Sequence, residues 1–152
     1  MLRISARAPP WWVIVAGWIV ILAACGEATP PDATPPEVGE RDFRLTSAAF
    51  AADGPIPTEH TGEGADVSPP LAWTGPPAGT KQLALVCDDP DAPREEPWVH
   101  WVLYGLSVEL DELAQGANGG ATEGVNDFGR PGWGGPMPPP GHGVHHYHFV
   151  LY

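Results

Sequence analysis

Lysine is nearly absent from this chain. Lys81 is the only one, and six arginines complete the basic residues, against 19 acids in 152 residues. The formal charge is −12. Binding nucleic acid by counterion release requires clustered Lys and Arg. No such cluster exists here, so nucleic acid is excluded as a partner. Cysteine is scarce as well, with Cys25 and Cys87 alone. Long apolar runs are missing. Residues 11–24 hold 14 uncharged, largely apolar residues, whereas a membrane-spanning helix takes ~20. Long helices are also excluded. The 19 glycines and 20 prolines are about a quarter of the chain. Pro removes a backbone donor and Gly adds backbone entropy, so both interrupt helices.

What is present is apolar mass. Seven tryptophans and a 43% hydrophobic content supply a core that a disordered chain lacks. The combination predicts short strands and shaped loops in a single domain. No internal repeat is visible.

Arg3 and Arg7 precede the 11–24 run, which reads as a signal-peptide core. It ends in Leu22-Ala23-Ala24-Cys25. Small residues before a cysteine resemble a bacterial lipobox, where the Cys thiol is lipidated and the chain is cut before it. An ordinary signal peptide with an incidental cysteine is the plainer alternative. On the lipobox reading, residues 1–24 are removed and Cys25 carries the lipid. Losing Arg3 and Arg7 takes the formal charge from −12 to −14. Cys87 is then the only free thiol, and no intrachain disulfide can form. Within an apolar strand it reads as a small buried hydrophobe. Residues 26–42, GEATPPDATPPEVGERD, predict an extended spacer between the membrane anchor and the domain at 43–152. The expected location is the bacterial cell envelope, facing periplasm or exterior.

Three strand-like runs stand out in the domain. Residues 83–87 are apolar on both faces, which predicts a buried strand. In 98–106, Trp98, His100, Val102 and Tyr104 share one face, and Val99, Trp101 and Leu103 the other. In 144–152, His145, Tyr147, Phe149 and Leu151 share one face, and His146, His148 and Val150 the other. Residues 43–45 predict a short first strand. Residues 110–113 leave room for one helical turn at most. SPPLAWTGPPAGT, DDPDAPREEP and the segment 126–143 read as loops. The last run stops at an aromatic residue with no turn after it, which predicts a domain incomplete at its C-terminus.

Three polar groups lie against these strands. Asp88, Asp89 and Asp91 sit where a strand ends in DDPDAP; Asp-Pro steps favour extended or turn backbone and fix carboxylates at the strand mouth. His100 interrupts an apolar strand. His145 and Tyr147 share a face directly after the 126–143 loop. Each alone has an ordinary reading: a turn cap, a satisfied core histidine, a chance pair. Together with a loop of 18 residues, long for one without secondary structure, they mark a candidate site.

DDPDAP, WVHW and GGPMPPPGHGVHHYHF, in this order and spacing, resemble the phosphatidylethanolamine-binding protein family. The bacterial branch, the Raf kinase inhibitor-like proteins, is the nearest in pattern. FRLTSAAF, SPPLAW and NDFG fit the same pattern, and the resemblance covers 43–152. It implies an all-β sandwich of two antiparallel sheets with a small anion-binding pocket at one end. It implies that Asp89, Asp91, Pro93, His100, Gly135, Pro136, His145 and Tyr147 form that pocket. Two positions depart from the pattern: His146 stands where the family has Arg, and Met137 where a smaller residue is common. The resemblance implies a further helix and strand beyond the last run, so the domain at 43–152 is expected to be incomplete at its C-terminus.

The pocket chemistry expected is donation to phosphate oxygens by Tyr147 and by backbone N–H groups near Gly135. His100 and His145 would also donate, oriented and raised in pKa by Asp89 and Asp91. The carboxylates could accept from an ethanolamine ammonium, so a phosphoethanolamine or phospholipid headgroup would satisfy both halves. Neither a cofactor nor a metal is expected. The rival is a metal-dependent enzyme using His142, His145, His146 and His148, with Asp89, since His-x-His on a strand is a metal-ligand spacing. Nucleophilic catalysis is weaker: Ser68 has no nucleophile motif, and the acids after Cys87 would raise its pKa. A third reading, suggested by the family name, is inhibition of a kinase or protease.

Overall fold

The structure, a computed structural model, describes residues 3–6 and 43–152. Cys25, the spacer and most of the leader lie outside the described residues. The strands are β1 (Arg3–Ala6), β2 (Arg44–Thr46), β3 (Leu71–Thr74), β4 (Gln82–Asp89), β5 (Trp98–Ser107), β6 (Glu112–Leu113), β7 (Thr122–Glu123) and β8 (His148–Leu151). One 3-10 turn, Thr58–His60, is the only helical element among the described residues. None of their helices is long and apolar enough to cross a membrane.

The strands form a five-stranded sheet, β1-β8-β4-β5-β7, and a three-stranded sheet, β2-β3-β6. All pairings are antiparallel except that of β1 with β8, which is parallel. Residues 3–6, read from the sequence as the start of a leader, are therefore described as an edge strand. The two sheets meet in one core cluster. Leu45, Leu71, Trp73 and Leu113 come from the small sheet, and Leu83, Leu85, Cys87, Trp101, Leu103, Phe149 and Leu151 from the large one. The all-β, antiparallel expectation holds.

The strand expectations need four corrections. First, the 144–152 strand shrinks to β8. The N–H of His146 donates to Asp91 Oδ2 at 2.8 Å, so this stretch bonds to a loop carboxylate before the ladder begins. The alternation survives nonetheless: His145, Tyr147, Phe149 and Leu151 are all buried. Second, the helical turn at 110–113 is absent, because Leu113 pairs with Leu71 as part of β6. Third, SPPLAWT is not all loop. Leu71 and Trp73 alternate into the core as β3, a signal too short to outweigh the flanking prolines.

The fourth correction concerns faces. In β4, Leu83, Leu85, Cys87 and Asp89 are buried while Ala84, Val86 and Asp88 are half-buried, so one face is core and the other is not. In β5, Trp101 pairs with Cys87 but Val99 pairs with Asp88, leaving His100 unpaired in a bulge. A bulge inserts one residue and re-aims the side chains beyond it. Trp98 thus pairs with Asp89 on the core side, and the regular alternation read from 98–104 breaks at His100.

Candidate functional site

The core face of β4 ends in a carboxylate, Asp89, which is 4% exposed. Burying a charge this deeply is costly unless it is paired. Asp89 is paired twice. Its Oδ1 accepts the N–H of Asp91 at 2.9 Å, closing the Asp-Pro turn. Its Oδ2 accepts from His145 Nδ1 at 2.7 Å. The His145 ring is thereby fixed through Nδ1.

His100 comes from the bulge. Its Nδ1 donates to the carbonyl of Gly134 at 2.5 Å. Its ring meets the edges of Tyr147, at 5.1 Å between centroids, and of Phe128, at 5.3 Å. Burial holds the imidazole below its ordinary value of 6.5. The Gly134 carbonyl, Asp89, Asp88 and Asp127 push the other way and are outweighed. The expectation that carboxylates raise this pKa is therefore corrected for His100: desolvation wins. Burial also pushes the Tyr147 phenol upward, with Asp89 adding to it. Tyr147 remains a protonated donor at any ordinary pH.

The 126–143 loop closes over these groups, and Asn126 shapes it. Its Nδ2 donates to the carbonyls of His100 and Gly132 at 3.1 and 2.8 Å, and its Oδ1 accepts from the N–H groups of Phe128 and Arg130. Trp133 anchors the middle of the loop. It stacks on Phe149 at 5.8 Å, meets Trp101 edge-on, and donates Nε1–H to the carbonyl of His60 at 3.2 Å.

The result is a cavity of about 330 Å³. Its polar lining is Asp89, His100, His145, Tyr147 and Arg94; its apolar walls are Ala92, Pro93, Trp98, Phe128, Met137, Pro138 and Pro139. Arg94 is held at the mouth, 5.3 Å over the Trp98 ring and 3.4 Å from Asp127 Oδ2. Small size, apolar walls and a few convergent polar groups are the usual make-up of a ligand pocket.

Five of the eight residues carried over from the resemblance meet here: Asp89, Pro93, His100, His145 and Tyr147. Three do not line the cavity. Asp91 faces His146, accepting from both its N–H and its ring, so it orients His146 and neither pocket imidazole. The Gly135 N–H donates to Asp66 Oδ1 at 2.6 Å and is not free for a ligand. Its glycine character serves a close approach, since a Cβ would lie 2.6 Å from Asp66 Oδ1 and from the His60 carbonyl. The Pro136 carbonyl accepts from Gly62 N–H. Sequence reasoning passed over Arg94, Trp98 and Phe128 as pocket walls and Asn126 and Asp66 as loop anchors. Only the NDFG segment gave any signal for Asn126 and Phe128.

The histidines of the rival reading do not converge. His145, His146 and His148 each face a different carboxylate: Asp89, Asp91 and Asp88. His142 lies 6.0 Å from His145 between ring centroids. Among the described residues no three His, Cys, Asp or Glu side chains gather as metal ligands would. Cys87 is fully buried, and that burial, reinforced by Asp88 and Asp89, holds its thiol well above the ordinary value. It is a packing residue.

Known proteins align with this picture. The family model for "Phosphatidylethanolamine-binding protein" matches residues 46–152. A UPF0098 protein of Mycobacterium bovis is 47% identical over 109 residues, 71% of this chain and 52% of its own length. The chain thus spans about half the length of such curated relatives. LppC of Mycobacterium tuberculosis, named as a candidate lipoprotein, is 40% identical over 149 residues, covering 88% of this chain and 73% of its own. Among solved structures, E. coli YbcL, described as a new member of the mammalian PEBP family, superposes with a TM-score of 0.68 at 36% identity, over 72% of this chain and 75% of its own. A candidate PEBP homologue of Chlamydia trachomatis gives a TM-score of 0.67 at 40% identity, over 71% and 72%. A family match over most of the chain and the fold shared with solved members lead to one conclusion: this chain belongs to the phosphatidylethanolamine-binding protein family.

Proposed function

We propose that this chain is a binding protein of the bacterial envelope, not an enzyme, whose pocket takes a small phosphate-type or phosphoethanolamine headgroup ligand. One observation carries the reading. The Tyr147 hydroxyl and two imidazoles, each fixed from behind through Nδ1, line one small cavity with apolar walls. Preorganised polar groups in a mostly apolar pocket bind with little further ordering. Arg94 adds positive charge at the mouth, and Asp89 offers a carboxylate for an ammonium. Attachment through Cys25 is supported by the lipobox-like sequence and by the name of the mycobacterial relative. Any effect on a kinase or protease would act through the same mouth, where Phe128 and Met137 are exposed.

The test is calorimetric titration of phosphoethanolamine into the full chain between about pH 5.5 and 8, the histidine range. Affinity should rise as pH falls. Flat affinity across that range, or no heat at all, counts against a histidine-lined anion site.

A further inference from the structure

The hydrogens on the two imidazoles restrict what the pocket accepts. The Gly134 oxygen, 2.5 Å from His100 Nδ1, is a carbonyl and can only accept. The ring hydrogen of neutral His100 is therefore on Nδ1, and Nε2 carries a lone pair. That atom has no partner among the described residues, and the ring lines the cavity. His100 is thus an acceptor in the pocket, not the donor expected from the sequence. Of the backbone N–H groups near Gly135, that of Gly135 itself is taken by Asp66. Tyr147 remains as a donor.

The charged and titratable groups around His100 are consistent with a neutral ring. Asp89 and Asp88 come from β4, Asp127 from the covering loop, and His145 and Tyr147 from the segment entering β8. Asp89 is engaged with His145, and Arg94 is held by Asp127 and the Trp98 face. Burial disfavours the charged imidazole and outweighs the opposing pull of the Gly134 carbonyl and the three carboxylates.

An oxyanion with no proton would set its lone pairs against the lone pair of Nε2. An oxyanion that keeps one proton can donate that O–H to His100 Nε2 while accepting from Tyr147. We propose that the pocket selects oxyanions carrying an acidic proton, namely monoanionic phosphate monoesters or unesterified phosphonates, over diesters. This rests on the phosphate-binding reading above and narrows its ligand class. No bond is made or broken; the proton stays on the ligand oxygen.

The test compares methyl phosphate with dimethyl phosphate on the full chain by calorimetry. Neither probe has an ammonium, so the phosphate proton is the only one on offer. Methyl phosphate should bind at least about tenfold tighter at about pH 5.5, since an unpaired buried polar atom is penalised. Its affinity should fall about tenfold per pH unit above about 6, where the monoester loses its second proton. A second arm offers vesicles of phosphatidylcholine with or without phosphatidic acid, a monoester lipid. Binding to the phosphatidic acid vesicles assigns the monoester to a membrane source, and binding to methyl phosphate alone to a soluble one; either supports the proposal. Equal binding of methyl and dimethyl phosphate overturns it and leaves the phosphate-pocket reading standing. No binding of either overturns both. The variant His100→Gln, whose amide can donate, should gain affinity for dimethyl phosphate; no gain in a folded variant also overturns the proposal.

Discussion

His100 and Gly134 are joined by two reciprocal hydrogen bonds. The N–H of Gly134 donates to the carbonyl of His100 at 3.1 Å, and His100 Nδ1 donates to the carbonyl of Gly134 at 2.5 Å. One residue sits in a strand bulge and the other in the covering loop. The pair therefore fixes loop to sheet and ring to cavity at once.

Because Asn126 reinforces the same junction, its loss should be felt in both stability and binding. Asn126→Ala removes the side-chain partner of the Gly132 carbonyl and of two loop N–H groups, and leaves the His100 carbonyl with the Gly134 N–H alone. We expect destabilisation of about 1–3 kcal/mol in a urea melt, with weakened phosphoethanolamine binding. A wild-type melt would show that the loop is held by other contacts.

Tyr147→Phe keeps the ring that packs against His100 and removes only the hydroxyl. Stability should change little, while affinity for phosphoethanolamine drops about tenfold or more, the cost of one lost donor in a dry site. Calorimetry beside a thermal melt separates the two effects.

The depressed pKa of His100 sets a pH dependence. The folded state favours the neutral ring, so this contribution to stability is present above the unfolded value near 6.5 and is lost as pH falls through the folded value. Denaturant midpoints should therefore decline below about pH 6.5, and His100→Gln should flatten that decline. An unchanged slope in the variant would place the acid sensitivity elsewhere. Asp88 acts in a lower window and with the opposite sign. Burial raises its pKa above 3.8, so acidification relieves a buried charge there.

Asp91 and His146 should be dispensable to the pocket. The His146 ring and N–H hold the Asp91 carboxyl below 3.8, so this contribution is present above that value and is lost as pH falls through the lower folded value. Both side chains are more than a third exposed, and solvent screens such a pair. His146→Ala should raise the Asp91 pKa in an NMR titration, with little change in melting or in ligand affinity. A large loss of affinity would show that the pair shapes the cavity.

Gly135→Ala tests whether this glycine serves packing rather than ligand contact. The added methyl would meet Asp66 Oδ1 and the His60 carbonyl at 2.6 Å. We expect a clear drop in melting temperature, with the loop displaced. Normal stability with selective loss of phosphate binding would restore Gly135 as a ligand donor.

The sequence made three of the five strands of the large sheet, β4, β5 and β8, and the pocket's polar floor legible for physical reasons. Apolar periodicity marks β4 and β5, and the strand-mouth motif places Asp89. It did not reveal the bulge at His100, because a register shift depends on the partner strand and not on the residue itself. It also could not separate Asp89 from Asp91. Both are acids beside a proline, and only the turn after β4 sends one inward to His145 and the other outward to His146. The Gly135 environment was hidden for a related reason: whether its N–H is free depends on Asp66, 69 residues away.

The three His–Asp couples have a consequence for how the fold breathes. Asp88 and Asp89 leave β4 on opposite faces, and each faces a histidine of the segment that becomes β8. The atoms that floor the cavity therefore also fasten the seam between two strands. A ligand that binds only the closed form shifts the opening equilibrium by mass action. Occupancy of the pocket would then be recorded as slower hydrogen exchange at the amides of β8, which lie in the sheet and not in the pocket.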